Sequence, residues 1–181
     1  MTTTEIKFGG LGGQGVILAG IITGTAAALF DNKEATLTQA FGPEARGSAC
    51  SAQVVVSDSR ILYPYVNRPQ ILVSMSQDAY NKFSPEIADG GLLLIEEELV
   101  KPEPIPNNGK VYAVPATRIA EELGRRMVLN IVMVGFFASV TKLIGADAMR
   151  KAVEDSVPPG TTDLNLKAFD RGFEWGEKVT S

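Results

Sequence analysis

The chain has 181 residues, of which 45% are hydrophobic and 21% are charged. This length and composition are typical of a protein with one globular core. We therefore expect a single folded domain over residues 1–181 and not an intrinsically disordered protein. The 17 basic and 21 acidic residues give a net charge of −4 without a basic stripe, which argues against a nucleic-acid partner.

Predicted strands and helices alternate along the chain. The strands are expected at residues 5–8, 34–39, 51–57, 70–75, 91–98 and 110–116. The helices are expected at residues 14–30, 77–87, 117–123, 127–143, 146–153 and 164–178. Several strands are continuous apolar runs, which favour a sheet that is buried on both faces. The alternation predicts an α/β sandwich.

Two apolar runs, at 15–30 and 127–140, are shorter than the roughly 20 residues that cross a bilayer. We therefore expect buried helices there and no membrane partner. The first residues, MTTTEIKF, contain neither the basic start nor the apolar core of a signal peptide. Together these features predict a cytoplasmic protein.

Five glycines follow the first strand, in the sequence FGGLGGQGV. Gly10, Gly12 and Gly15 match G-x-G-x-x-G, in which the first glycine permits the turn, the second lets a phosphate approach and the third allows close packing. An acidic residue about 20 positions further on would hold a ribose, but the second strand ends in Thr38 and Gln39. A dinucleotide, another phosphate-bearing ligand and a plain turn all remain open.

Other polar residues near the glycines are also candidates for ligand binding. Gly13 and Gln14 extend the loop beyond what a turn needs, and Gln14 could meet the amide or carbonyl of a ligand. In FGPEARGSAC, Glu44 could orient Arg46 toward a phosphate, a carboxylate or a neighbouring subunit, or the two could form a surface ion pair. The candidate binding residues are therefore Gly10, Gly12, Gly13, Gln14, Gly15, Glu44 and Arg46.

Three further features carry structural expectations. Asn130 lies on an apolar helix, and we expect its amide to bond to a loop backbone rather than to a ligand. Gly20 and Gly24 form a stripe of small residues that favours packing. The acidic run 96–98 is expected to end a strand at the solvent.

The lack of histidine and the single cysteine exclude much catalytic chemistry. Histidine is the commonest general base and metal ligand, and one cysteine can form neither an intrachain disulfide nor a four-cysteine iron–sulfur cluster. Cys50 has no histidine to activate it, so a buried structural thiol is expected. We predict no catalytic residue and no metal site in this chain.

Three segments together identify a family. The segments are GLGGQGV at 10–16, FGPEARGS at 41–48 and LNIVMVG at 129–135. In this order and spacing they resemble the gamma subunit of 2-oxoacid:ferredoxin oxidoreductases, over essentially the whole chain. The resemblance implies a Rossmann-like three-layer sandwich with a mostly parallel central sheet.

The resemblance also implies a function. It places the chain in a multi-subunit enzyme that oxidatively decarboxylates a 2-oxoacid such as pyruvate, 2-oxoglutarate or ketoisovalerate to its acyl-CoA, with a slight preference for 2-oxoglutarate. Coenzyme A would meet the glycine-rich loop in a shared site. The implied partners are alpha and beta subunits, an optional ferredoxin-like delta subunit, and ferredoxin as electron acceptor.

The residues of this chain limit its part in that enzyme. Without the cysteines of a cluster or a recognisable thiamine motif, it should leave the iron–sulfur clusters and thiamine diphosphate to partner subunits. We expect the isolated chain to be inactive and able to self-associate through surfaces meant for other subunits. The alternative is a freestanding nucleotide-binding regulatory module; a small dehydrogenase is disfavoured by the missing histidine and acidic residue.

Overall fold

The computed structural model describes residues 2–41, 48–103 and 108–181. The strands are β1 (Thr3–Leu11), β2 (Glu34–Ala40), β3 (Ala49–Ser57), β4 (Ile71–Ser74), β5 (Leu92–Glu96) and β6 (Lys110–Val114). The helices are α1 (Val16–Thr25), α2 (Gln77–Phe83), α3 (Ala116–Glu122), α4 (Leu129–Thr141), α5 (Ala146–Ser156) and α6 (Thr162–Thr180). Glu44 and Arg46 lie outside the described residues, so their role stays a prediction.

The six strands form one sheet in the order β2-β3-β1-β4-β5-β6. β1, β4, β5 and β6 are parallel, whereas β3 is antiparallel to its neighbours β1 and β2. The prediction of a mostly parallel central sheet is confirmed. Because β3 lies between β1 and β2, the opening β1-α1-β2 unit skips one strand position.

Helices cover both faces of the sheet, which confirms the predicted α/β sandwich. On one face, Phe8, Val73 and Leu94 belong to the same buried cluster as α1, α4, α5 and α6. On the other face, Leu72 and Leu93 pack with α2. The chain leaves β1 toward one face and β4 toward the other, so a crevice opens between the carboxyl ends of these two strands.

The element boundaries differ from the sequence expectation where local geometry intervenes. The first helix begins at Val16 rather than at residue 14, because Gly15 has a left-handed backbone with φ 75°. The residues predicted as the end of this helix, Ala26–Phe30, form a separate π-helical turn after Thr25. The fifth strand stops at Glu96 instead of residue 98. In the described ranges, no helix has the length and apolar character needed to span a membrane.

Glycines let α4 and α6 cross with their backbones in contact. A β-carbon at Gly135 would overlap the carbonyl oxygen of Phe169, and one at Gly172 would overlap that of Val132. Gly20 serves packing as expected, because a β-carbon there would lie 2.6 Å from that of Ala52 on β3. Gly24, in contrast, has nothing within 4 Å of the same position.

These contacts predict opposite effects for two glycine-to-alanine substitutions. Gly135→Ala should lower the free energy of unfolding by roughly 3 kcal/mol or more, because the methyl group meets a backbone carbonyl that cannot rotate away. Gly24→Ala should raise it by about 0.5–1 kcal/mol, because alanine loses less backbone entropy in an open helix position. Urea unfolding of both variants measures the difference, and equal effects would contradict the close crossing.

Candidate functional site

The glycine loop, residues 12–15, joins β1 to α1 at the carboxyl edge of the sheet. Gly13 and Gly15 have φ of 90° and 75°, a region that residues with side chains rarely enter. Gly10 lies inside β1 and not in the turn, which corrects the role that the motif gave it. A β-carbon at Gly10 would lie 2.7 Å from Oε1 of Gln14 and Cγ2 of Val16, so this glycine makes room for the loop to fold back.

Gln14 fastens the glycine loop to the end of β4. Its Oε1 accepts the N–H of Leu11 at 2.7 Å, and its Nε2 donates to the carbonyl oxygen of Met75 at 2.9 Å. The N–H of Met75 in turn donates to the carbonyl oxygen of Gly9 at 2.9 Å. Both ends of the Gln14 amide thus have partners within the protein, and its contact with a ligand stays a prediction.

Asn130 holds the other side of the loop. It is 4% exposed, and its Nδ2 donates to the carbonyl oxygen of Gly15 at 3.3 Å. The expectation that this buried amide bonds to a loop backbone is confirmed. A β-carbon at Gly15 would collide with the Asn130 side chain, so position 15 must be glycine for both its conformation and this packing.

A cleft of about 330 Å³ lies beside the glycine loop, and we call it the loop cleft. α1, α4 and α6 all begin around it, and its wall includes Gly13, Gly15, Arg125, Met127, Asn130, Thr161 and Asn165. A second cleft of about 400 Å³, the outer cleft, shares Gly13 and Met127 and adds Gln14, Leu99 and Arg126. The open backbone of Gly13, with nothing within 4 Å of its β-position, faces both.

Two exposed arginines line these clefts, Arg125 the loop cleft and Arg126 the outer cleft. Within the described part of the chain Arg125 has no ion-pair partner, and Nε of Arg126 is 4.0 Å from Oε1 of Glu121. The amino-terminal ends of helices carry partial positive charge. Arginine forks beside such ends suit the binding of phosphate or carboxylate groups.

The sequence analysis missed both arginines. A signal for them was available, because Arg125 and Arg126 directly precede the apolar run that begins at residue 127, where the sequence predicts a helix. Basic residues at the start of a helix oppose its dipole, and acidic residues are the ones favoured there. Two adjacent arginines at this position therefore indicate a use other than helix stability.

The structure tests the predicted exposure of the acidic run 96–98 and the predicted burial of Cys50. Glu96 was expected at the solvent but is fully buried, since its carboxylate binds backbone N–H groups of neighbouring segments. Glu97 and Glu98 are exposed as predicted. Cys50 is 6% exposed, and burial raises the pKa of its thiol, which confirms a buried structural cysteine.

The bond from Asn130 to the glycine loop can be tested by substitution. Asn130→Ala should lower the free energy of unfolding by about 1–2 kcal/mol, because it removes a buried hydrogen bond and its packing. Asn67→Ala, at an exposed position, is the control and should stay within about 0.5 kcal/mol of the unaltered chain. Equal unfolding curves for the two variants in urea would show that Asn130 does not support the loop.

Comparison with known proteins places this geometry in a family. The family described as pyruvate ferredoxin/flavodoxin oxidoreductase matches residues 5–175. The chain is 49% identical to the 2-oxoglutarate synthase subunit KorC of Methanocaldococcus jannaschii, over 97% of this chain and 95% of that protein.

Solved structures agree with this assignment. The gamma subunit of a keto/oxoacid ferredoxin oxidoreductase from Geobacter sulfurreducens is similar with a TM-score of 0.86 and 37% identity, over 98% of this chain and 99% of that one. The 2-oxoglutarate:ferredoxin oxidoreductase of Magnetococcus marinus has the same fold, with a TM-score of 0.86 and 21% identity over 98% of this chain and 32% of that one. This chain therefore belongs to the pyruvate ferredoxin/flavodoxin oxidoreductase family, as a gamma-type unit.

Proposed function

We propose that this chain is the gamma subunit of a 2-oxoacid:ferredoxin oxidoreductase complex and that its two clefts form part of the coenzyme A site. The similarity to the 2-oxoglutarate synthase subunit of M. jannaschii favours 2-oxoglutarate as the oxoacid of the complex. The M. marinus enzyme, which shares the fold, is described with 2-oxoglutarate, coenzyme A and succinyl-CoA bound.

The observation that carries the proposal is that the bare Gly13 backbone and the Arg125 side chain line the same cleft. Coenzyme A has anionic phosphates at one end and a long, mostly apolar arm with amide groups at the other. The arginine forks and helix ends suit the phosphates, while the apolar residues Leu18 and Met127 suit the arm. Clefts of about 330 and 400 Å³ are in the range that encloses a drug-sized portion of a ligand, so the remainder would lie against other subunits.

The chemistry of the reaction would then come from the partners. When it is bound in a partner subunit, thiamine diphosphate supplies the electron sink for decarboxylation. This chain contains no histidine and one cysteine, which is buried, so its own residues can bind and orient coenzyme A but offer no usual proton shuttle or cluster. Alpha and beta subunits, a ferredoxin-like subunit and ferredoxin as acceptor complete the proposed assembly.

A nicotinamide dinucleotide fits this fold less well. In dinucleotide-binding domains, an acidic residue at the end of the strand next to β1 holds the ribose. Here the strand next to β1 on that side is the antiparallel β3, and β2 is one position further out. The end of β2 therefore lies away from the glycine loop. A freestanding module for an adenine nucleotide remains the second candidate, because the loop itself would accept any phosphate.

Calorimetric titration of the purified chain with coenzyme A, ATP and NAD separates these functions. We expect coenzyme A to bind most tightly. Arg125→Ala should weaken coenzyme A about 10- to 100-fold, because one charge-assisted contact contributes roughly 1.5–3 kcal/mol. The control is Arg68→Ala, which removes an exposed arginine near the opposite end of the sheet.

The titrations can also contradict the proposal. If Arg125→Ala and Arg68→Ala bind coenzyme A with equal affinity, the loop cleft is not part of the coenzyme A site. Tighter binding of ATP than of coenzyme A would favour the nucleotide-binding module, and submillimolar binding of NAD would contradict the proposal.

A further inference from the structure

Glu96 is a buried carboxylate that lines neither of the two clefts. It is 0% exposed at the end of β5, and it forms no ion pair with any cation of residues 2–41, 48–103 or 108–181. Its Oε2 accepts the N–H groups of Glu98 at 2.9 Å and Leu99 at 2.7 Å, and its Oε1 accepts that of Thr117 at 3.1 Å. A buried carboxylate is costly unless hydrogen bonds compensate it, and here backbone donors do so.

The three donors belong to two different segments. Glu98 and Leu99 follow β5, and Leu99 lines the outer cleft together with Gly13 and Gln14 of the glycine loop. Thr117 lies in the first turn of α3, the helix that follows β6. The two carboxylate oxygens of Glu96 thus connect the loops after two neighbouring strands, each by its own oxygen.

Thr117 is linked to the cleft arginines by a short, fully hydrogen-bonded path. α3 has only seven residues, and the N–H of Arg125 donates to the carbonyl oxygen of Ala120 within that helix at 3.1 Å. The N–H of Val128 then donates to the carbonyl oxygen of Arg125 at 3.2 Å. A shift of α3 would therefore move the segment 125–128, which contributes Arg126 and Met127 to the outer cleft.

We propose that Glu96 is a positioning residue for the coenzyme A site. Its carboxylate fixes the distance between two parts of the outer cleft, the part lined by Leu99 and the part lined by Arg126 and Met127. The ligand named here rests on the proposed function, whereas the linkage between the two walls rests on geometry alone. A glutamate is suited to this task because it offers acceptors on both oxygens, one for each segment.

Glu96→Gln tests this linkage with little change in shape. Glutamine keeps one acceptor oxygen and replaces the other by an NH₂ group, which cannot accept the N–H it would face. One of the two segments should therefore detach. Glu96→Asp is the second variant: it keeps both acceptors but is one methylene shorter, so it should also fail to reach both segments. Glu98→Gln removes the same charge at an exposed neighbour and is the matched control.

The first measurement needs no ligand. In Glu96→Gln, amide signals of Arg125 to Met127 in ¹⁵N NMR spectra should shift, and hydrogen exchange should accelerate at Glu98, Leu99 or Thr117. Glu98→Gln should leave the signals of Arg125 to Met127 in place. Unchanged signals of Arg125 to Met127 in both Glu96 variants would overturn the proposal, whatever the ligand of the cleft.

The second measurement separates positioning from general stability. Coenzyme A affinity is compared between Glu96→Gln and Val56→Ala, a substitution in the core near the far end of the sheet, with the melting temperature recorded for both. We expect Glu96→Gln to weaken binding about tenfold more than Val56→Ala. Equal affinities at equal melting temperatures would overturn the proposal. If the unaltered chain does not bind coenzyme A, the proposed function fails and the NMR comparison alone decides the linkage.

Discussion

The candidate site depends on the passage from β1 to α1 within four residues. Gly13 and Gly15 adopt left-handed backbone angles there, and side chains from distant segments hold the loop in place: Gln14 is bonded to Met75, and Asn130 is bonded to Gly15. The loop is thus bound both to the end of β4 and to the start of α4. Because it is fixed at both sides, the Gly13 backbone can stay bare and open toward the clefts.

The rest of the fold supports this arrangement. The close crossing at Gly135 and Gly172 holds α4 and α6 against each other. Their first turns form the wall of the loop cleft together with the start of α1. Packing in the core and the shape of the cleft are consequently linked, and a substitution at the crossing is expected to affect both.

Much of the fold could be predicted from the sequence because it depends on local patterns. In the described part of the chain, apolar or β-branched runs located five strands, a threonine-rich stretch with loose alternation located β2, and helical spacing located the helices to within a few residues. The place of β3 between β1 and β2 could not be predicted, because strand order depends on pairings between distant segments. The burial of Glu96 was missed for the same reason: its partner Thr117 is 21 residues away.

The site was predicted in part. The motif located the glycine loop but assigned the turn to Gly10, which the structure keeps in β1. Gln14 was predicted to contact a ligand, and this stays a prediction; within the protein its amide is bonded to Leu11 at the end of β1 and to Met75. Arg125 and Arg126 were overlooked because an exposed arginine is common, and only its place at a helix start beside a cleft makes it informative.

The central claim is that this chain contributes a binding surface to a reaction that partner subunits perform. The most direct test is viologen reduction with 2-oxoglutarate, coenzyme A and thiamine diphosphate, measured with the purified chain alone and after mixing with candidate alpha and beta chains. We expect no reduction by the chain alone, and coenzyme A-dependent reduction only after mixing. Turnover by the chain alone would contradict the account.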